Sequence, residues 1–378
     1  DEGNTIPFIS RYRKEATGSL NDEVLRKLFE RLTYLRNLEE KKQQVLSVIE
    51  EQGKLTPELK KQILAAETLV VVDDLYRPYR PKRRTRATIA KEKGLEPLAN
   101  LIRLQLTKRP LEEDAKAFLS EEKEVLTVED ALNGARDILA EAISDEADYR
   151  IHIRALTMKE GTLISTARDE KAQSVYENYY SYEEPVSKVA GHRILAINRG
   201  EKEKFLTVKV GAPEERILRY LEKMVISNEN PHTTPVLKEV IADSYGRLIA
   251  PAIEREIRNV LTEKAEDGAI TVFGKNLTQL LMQPPIAGQV VLGWDPAFRT
   301  GCKLAIVDAT GKVLDTTVIY PTAPTTEKKI HDAKETLKKL ISKYHVTLFS
   351  VGSGTASRES ELIIVELLKE IPEKVKYV

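Results

Sequence analysis

Residues Gln289 to Asp308 read QVVLGWDPAFRTGCKLAIVD, and in this stretch the chain changes its periodicity and its chemistry together. Val290, Val291 and Leu292 form an apolar run. A polar loop then carries Asp295, Arg299, Thr300 and Gly301, and Lys303 to Val307 resumes an apolar strand. A turn at Thr310–Gly311 leads to Val313–Tyr320, which predicts three consecutive antiparallel strands. From Glu327 to Lys343 the spacing of Ile330, Leu337, Leu340 and Ile341 predicts a helix with one apolar face. Val346–Val351 is a short buried-type strand, a glycine-rich turn GSGTASRE opens a helix over Ser357–Lys369, and Val375–Val378 begins another strand.

The order β-β-β-α-β-α-β with an aspartate ending the first strand is the ribonuclease H-like pattern. GWDPAFRTG followed by VGSGTASRE resembles the YqgF-type ribonuclease H-like domain of the Tex family of bacterial transcription accessory proteins. TIPFISRYRKEATGSL, DDLYRPYRPKRRTRATIAKEKGLEPLA and HRILAINRGEKE are similar to the helical region of the same family, and they occur in the family's order. The resemblance implies a mainly α, multi-helical, helix-turn-helix-like scaffold followed by a partial α/β ribonuclease H-like domain. It also implies four parts: a helical pair over 1–72, a helix-turn-helix-like region with a basic segment over 73–150, a helical scaffold with a small β-hairpin over 151–285, and the YqgF-like domain from 286 on. Family members continue through helix-hairpin-helix elements to an OB-type RNA-binding domain. The chain lacks an initiating Met and stops inside an apparent strand, so it is expected to be a fragment without those parts.

Composition narrows the class. With 378 residues and 41% hydrophobic content, two to three domains with real cores are expected. Lys plus Arg equals Asp plus Glu at 59 each, so only local charge asymmetry informs on partners. A single cysteine, Cys302, excludes an intramolecular disulfide and fits a reducing cytoplasm; its apolar strand predicts a packing role. No stretch reaches the roughly 20 apolar residues of a membrane helix.

Upstream, Leu25, Leu28, Leu32, Leu35, Leu38, Val45, Val48 and Ile49 recur at three- and four-residue steps and predict one long amphipathic helix from Glu23 to Gln52. Thr56–Pro57 opens a helix expected to run toward Val72. Helix is also expected from Leu126 to Ile164 and from Val236 to Lys264, while His192–Asn198 and Phe205–Val210 read as a strand pair. The tyrosines of Tyr176–Pro185 are expected to fill gaps between helices. Pro284–Pro285 reads as the linker into the strand domain.

The sharpest charge asymmetry lies past Asp74. Arg77, Arg80, Lys82, Arg83, Arg84, Arg86, Lys91 and Lys93 face one acid, Glu92, with Pro78 and Pro81 interrupting the helix and Tyr76 and Tyr79 interleaved. Arginine forks match phosphate bidentately and tyrosine stacks or packs, so this segment is read as a nucleic-acid contact, with Arg299 a further candidate. The alternative is ion pairing with acidic helices such as Glu112–Asp114 and Glu121–Glu124. The expected partners are RNA or DNA held through phosphates, independent of sequence; RNA polymerase or ribosome-associated machinery is the further partner class, and no membrane. Two other readings stand beside this one: a metal-dependent, structure-specific nuclease or resolvase, and a docking scaffold that touches no nucleic acid.

A two-metal nuclease needs carboxylates clustered around two ions about 3.5–4 Å apart. Asp295 sits where the first ligand is expected, but Ser350, Gly352 and Ser353 occupy the end of the fourth strand and the nearest acid, Glu359, falls inside the next helix. Asp295 and Glu359 are therefore read as vestigial candidates, with Asp295 capping its loop or pairing with Arg299. Relative to the family pattern, Ser353 replaces an Asn and Ala297 a Gly. GSGTAS lacks the lysine of a phosphate-binding loop, and the five histidines show no metal spacing, so neither metal nor cofactor is expected.

Overall fold

The computed structural model describes residues 3–81, 83–284 and 286–378. The chain is mainly α and ends in a mixed-sheet α/β region. It forms two units, one ending at Gly274 and one running from Lys275 to Val378.

In the first unit, short helices α1 (Ile6–Tyr12) and α2 (Lys14–Thr17) precede α3 (Asp22–Glu51), which Asn21 caps by accepting the Val24 amide. Thr56 caps α4 (Pro57–Ala65), and Thr68 caps a separate α5 (Leu69–Tyr76). The helix expected to run toward Val72 is thus two, because Thr68 captures the amide of Val71 and restarts the hydrogen-bond ladder. A 3-10 turn, Arg77–Tyr79, follows. Then come α6 (Arg86–Glu92), α7 (Glu96–Leu104), α8 (Leu111–Ala115), α9 (Val128–Asp145) and α10 (Ala147–Glu160). Ala131, Ala135, Ile138 and Leu139 of α9 lie in the main core with Ala87, Ala90, Leu98 and Ile102 of α6 and α7. The small side chains of α9 permit that close approach.

The helix read through Ile164 stops at Glu160. Thr162–Ala167 is instead β1, the centre of a sheet ordered β2-β1-β3 with β2 (Ser181–Pro185) and β3 (Leu206–Gly211). The strand pair expected from His192 is also corrected. Gly191–Lys202 is helix α11, since Ile194 and Ile197 turn one helical face into the core while β1, not 192–198, partners β3. Tyr176 is buried against Phe205, with ring centroids 5.8 Å apart, beside the sheet rather than between helices, and Ser181–Pro185 of the same stretch is strand β2.

After α12 (Glu214–Val225) and α13 (Thr234–Asp243), a π-helical stretch, Ser244–Ile249, runs straight into α14 (Ala250–Leu281). Buried side chains then recur every fourth residue: Tyr245, Ile249, Ile253, Ile257, Leu261 and Ala265. Of the expected linker, Pro285 lies outside the described residues.

The second unit contains β4 (Val291–Asp295), β5 (Cys302–Val307), β6 (Val313–Ile319), α15 (Glu327–Tyr344), β7 (Leu348–Val351), α16 (Ser357–Glu370) and β8 (Lys376–Tyr377). The sheet order is β6-β5-β4-β7-β8, with the first three strands antiparallel and β4, β7 and β8 parallel. Leu292, Trp294, Cys302, Leu304, Ile306 and Phe349 pack with Leu337, Ile341, Ile364 and Leu367 of the two helices. Cys302 is buried as packing. No described helix is long and apolar enough to cross a membrane.

Candidate nucleic-acid interface

The basic segment is held open by its own chemistry. α5 ends at Tyr76, Pro78 sits in the 3-10 turn, and Thr85 restarts the helix through a capping box with Thr88: the Thr88 amide donates to Thr85 Oγ1 (3.1 Å), and the Thr85 amide donates back to Thr88 Oγ1 (2.7 Å). The loop between these caps is tied to α3 where Gln52 Nε2 donates to the Tyr79 carbonyl at 2.9 Å.

Along this loop the cations divide. Arg77 is half-buried, with its Nε 3.4 Å from Asp145; burial first, and then the neighbouring Arg150 charge, lowers its pKa. Arg80 pairs with Asp73 at 2.8 Å and lies over the Tyr76 ring at 5.5 Å, with Lys41 also over that ring at 5.8 Å. Tyr79 packs on the core formed by α3, α4 and α5. Both tyrosines are therefore occupied within the protein and do not form a stacking platform.

Among the described residues Arg84 pairs with the exposed Glu92 alone, at 3.3 Å, and keeps 72% of its side chain in solvent. Arg83 and Arg86 are exposed and form no ion pair among the described residues. Lys82 lies outside the described residues. Lys91 meets Glu96 at 3.4 Å, and Lys93 donates to the Glu124 carbonyl at 2.9 Å. Ion pairing thus takes several of these cations, as the alternative reading held, but only Lys93 uses an acid that reading named.

Arg86 lines a cleft of about 460 Å³ together with Asn133, Arg136, Asp137, Glu239 and Asp243. Burial raises the pKa of Asp137 against the pull of Arg247 and Arg86, whereas the hydrogen bonds of Arg247 lower that of Asp243. This cleft carries both signs of charge and presents no uniform field to a phosphate.

Sequence reasoning missed a buried charge cluster on the helix from which this loop departs. Asp74, buried in α5, accepts from Arg150 Nε and Arg154 Nη2, both at 2.7 Å. Glu256 of α14 accepts from the same two arginines at 2.8 and 2.7 Å. Arg150 is fully buried. The signal was available: Arg150 and Arg154 lie four residues apart, so they share a helix face, between the apolar Ile151 and Ile153. This cluster fixes α5, from which the basic loop departs, against α10 and α14.

In the second unit, Asp295 ends β4, exposed, in register with Lys303. A cleft of about 700 Å³ lies over Gly293, Asp295, Lys303, Thr316, Val318 and Ser350. The expected pairing of Asp295 with Arg299 is not formed: the Asp295 carboxylate has no ion pair or side-chain hydrogen bond among the described residues. The Asp295 carboxylate and the Arg299 guanidinium are both exposed to solvent, where water solvates each as well as the other would. Glu359 lies exposed in the first turn of α16. Among the described residues no three His, Cys, Asp or Glu side chains come together as metal ligands, so neither Asp295 nor Glu359 belongs to such a group. The arrangement at this strand end offers one carboxylate.

Helices flanking a three-stranded sheet, followed by a β-β-β-α-β-α-β domain of 3-2-1-4-5 strand order, define a helical scaffold joined to a ribonuclease H-like module. Three family descriptions match the chain: "Tex-like protein N-terminal domain" over residues 1–50, "Tex central region-like" over 106–273 and "Tex protein YqgF-like domain" over 289–378. The chain belongs to the Tex family. It is 51% identical over 381 residues to the protein YdcI of Bacillus subtilis, covering 100% of this chain and 53% of that protein. The transcriptional accessory protein Tex of Neisseria gonorrhoeae is 38% identical over 386 residues, 99% of this chain and 49% of that protein. The human S1 RNA-binding domain-containing protein 1 is 31% identical over 390 residues, 97% of this chain and 38% of that protein. The chain spans about half the length of its bacterial relatives.

Proposed function

We propose that this chain is the sequence-independent nucleic-acid-binding part of a transcription accessory factor of the bacterial cytoplasm. It takes RNA or DNA through phosphate contacts centred on Arg83, Arg84 and Arg86, with Arg77, Arg80 and Lys82 as secondary candidates of the same segment; Arg299 is a separate candidate in the second unit. The observation that carries the reading is the contrast within one loop: Arg77 and Arg80 are held by acids, while Arg83 and Arg86 have no ion pair among the described residues and Arg84 has only a weak, exposed one. A guanidinium without a stable partner gains most from a phosphate. Because Tyr76 and Tyr79 are packed, base stacking adds nothing here, and single and double strands should bind alike. The names of two relatives, one a transcriptional accessory protein and one an S1 RNA-binding protein, support a nucleic-acid context. We take the four sequence parts, 1–72, 73–150, 151–285 and 286–378, as the working units of this function, and Asp295 as non-catalytic.

The test is fluorescence anisotropy of the chain with labelled single-stranded RNA and duplex DNA over a salt series, with and without Mg²⁺, followed by inspection of the probes for cleavage. Replacing Arg83, Arg84 and Arg86 with Ala should weaken binding to both probes and flatten the plot of log affinity against log salt, by roughly 0.7–0.9 for each phosphate that is no longer neutralised. An unchanged slope overturns the assignment. Metal-dependent cleavage that vanishes in Asp295→Asn overturns the non-catalytic reading and reinstates the nuclease.

A further inference from the structure

Edge strands in this molecule are closed by different means. In the first unit, edge strand β2 carries Glu183, Glu184 and Pro185, charges and a ring without an amide hydrogen, which keep a further strand away. In the second unit one edge is the two-residue β8, and the other is β6, seven residues long. β6 reads VLDTTVI: five of its seven residues are β-branched, and none is Lys, Arg or Pro. Val313, Leu314 and Val318 are 58%, 36% and 44% exposed. The inner side of β6 pairs with β5, and its outer side meets no backbone partner among the described residues. An edge of this composition is a template for another strand.

One side chain stands in the way. The Thr316 amide donates to Asp315 Oδ1 at 2.8 Å, so it points away from β5 and is satisfied on the free side. The other oxygen of Asp315 accepts from the Tyr344 hydroxyl of α15 at 2.8 Å and lies 3.8 Å from Lys343 Nζ. The Tyr344 bond first, and then the Thr316 amide, hold the Asp315 carboxyl below the usual carboxylate range, so it stays charged. The β5–β6 register slips at Ile306/Val307, and regular pairing in β6 runs from Asp315 to Ile319. Within that run the alternation of a strand turns the amides of Thr316 and Val318 to the free side. Asp315 holds the first of them.

We propose that Asp315 guards this edge: by holding the Thr316 amide it closes a strand-pairing surface that fits β6 of a second copy. The sequence names that occupant. Two copies of Asp315–Ile319 pair antiparallel about Thr317, with Thr316 against Val318 and Asp315 against Ile319, so no like charges are opposed. The guard is independent of the nucleic-acid reading.

The test is sedimentation equilibrium of the whole chain, with far-UV circular dichroism and thermal melting to check the fold. Asp315→Ala should raise the mass about twofold over the wild type at equal concentration. Adding Thr316→Pro should return it to the wild-type value, because proline lacks the amide hydrogen and β5 does not use that amide. Asp315→Asn keeps an oxygen for the amide, and Tyr344→Phe removes only the second anchor; both should sediment as the wild type. Should Asp315→Ala lose its melting transition, Asp315→Val supplies a β-branched residue at the same position and takes the same test. An unchanged mass without the Asp315 carboxylate overturns the proposal, as does association that Thr316→Pro leaves intact. Association of Asp315→Asn as strong as that of Asp315→Ala also overturns it. So does a wild-type dimer that Thr316→Pro dissolves, since the edge would then be open with Asp315 in place.

Discussion

Two groups of arginines in the first unit end in opposite states. Arg150 and Arg154 are locked between Asp74 and Glu256 by four hydrogen bonds of 2.7–2.8 Å, with Arg150 wholly out of water. Arg83 and Arg84 lie in the loop between the helix that carries Asp74 and α6, Arg86 opens α6, and all three stand in solvent. The difference teaches that local charge density is a poor guide to function. The run that is conspicuous in the sequence includes residues the fold has already neutralised, and the cluster that holds the helices together arises from positions as far apart in the chain as Asp74 and Glu256. A buried arginine is committed because removing its partners strands a charge in a poor solvent; an exposed one remains available.

The strongest way to break the contrast is Arg150→Ala. It leaves Asp74 and Glu256 sharing Arg154 alone, and should lower stability by about 3–5 kcal/mol, read in urea or thermal unfolding. If the loss is below about 1 kcal/mol, the cluster is not the fastening described here. An intermediate effect is confined to alkaline pH. Burial, reinforced by the charge of Glu214, pushes the Tyr245 hydroxyl up to about 12. A folded-state pKa above the unfolded value near 10 means that this contribution is complete below about pH 10 and is lost as pH rises toward 12. Tyr245→Phe should flatten the stability profile across that window; an unaltered profile would place the alkaline transition elsewhere. The smallest effect is Arg80→Ala. Its pair with Asp73 is half exposed, so stability should change by less than about 1 kcal/mol. A larger loss would move Arg80 into the class of Arg150.

The fold was legible where a local rule decides it. The α/β region was read from alternating strands, turn glycines and one helix period, and its element order and the antiparallel run of its first three strands followed. It failed where a short polar signal or a distant partner decided. Thr68 cuts a helix that apolar spacing continued, and β1 was absorbed into the preceding helix because Ile164 fits either period. Residues 192–198 looked like a strand because a short apolar run carries no length information. For the site, the exposure of Arg83, Arg84 and Arg86 was readable from the prolines and from Thr85, which break and restart the helix. The capture of Arg77 by Asp145, and the whole of the Asp74 cluster, depend on which helices touch, and no local pattern encodes that.

The unbroken course from α13 through the π stretch into α14 bears on how this lineage can change length. Each residue of an α-helix turns the next side chain by about 100°, so buried positions spaced by four drift around the axis, by about 160° between Ile249 and Ala265. Different sectors of α14 therefore meet different neighbours in turn: Glu256 reaches Arg150 and Arg154, Arg258 reaches Glu201 of α11, and Thr262 accepts from Asn198. A single codon gained or dropped between Ala250 and Leu261 would rotate every later sector away from its neighbour at once. Family members are thus expected to vary freely in loop length around this helix while keeping its residue count fixed, the way a reading frame is kept.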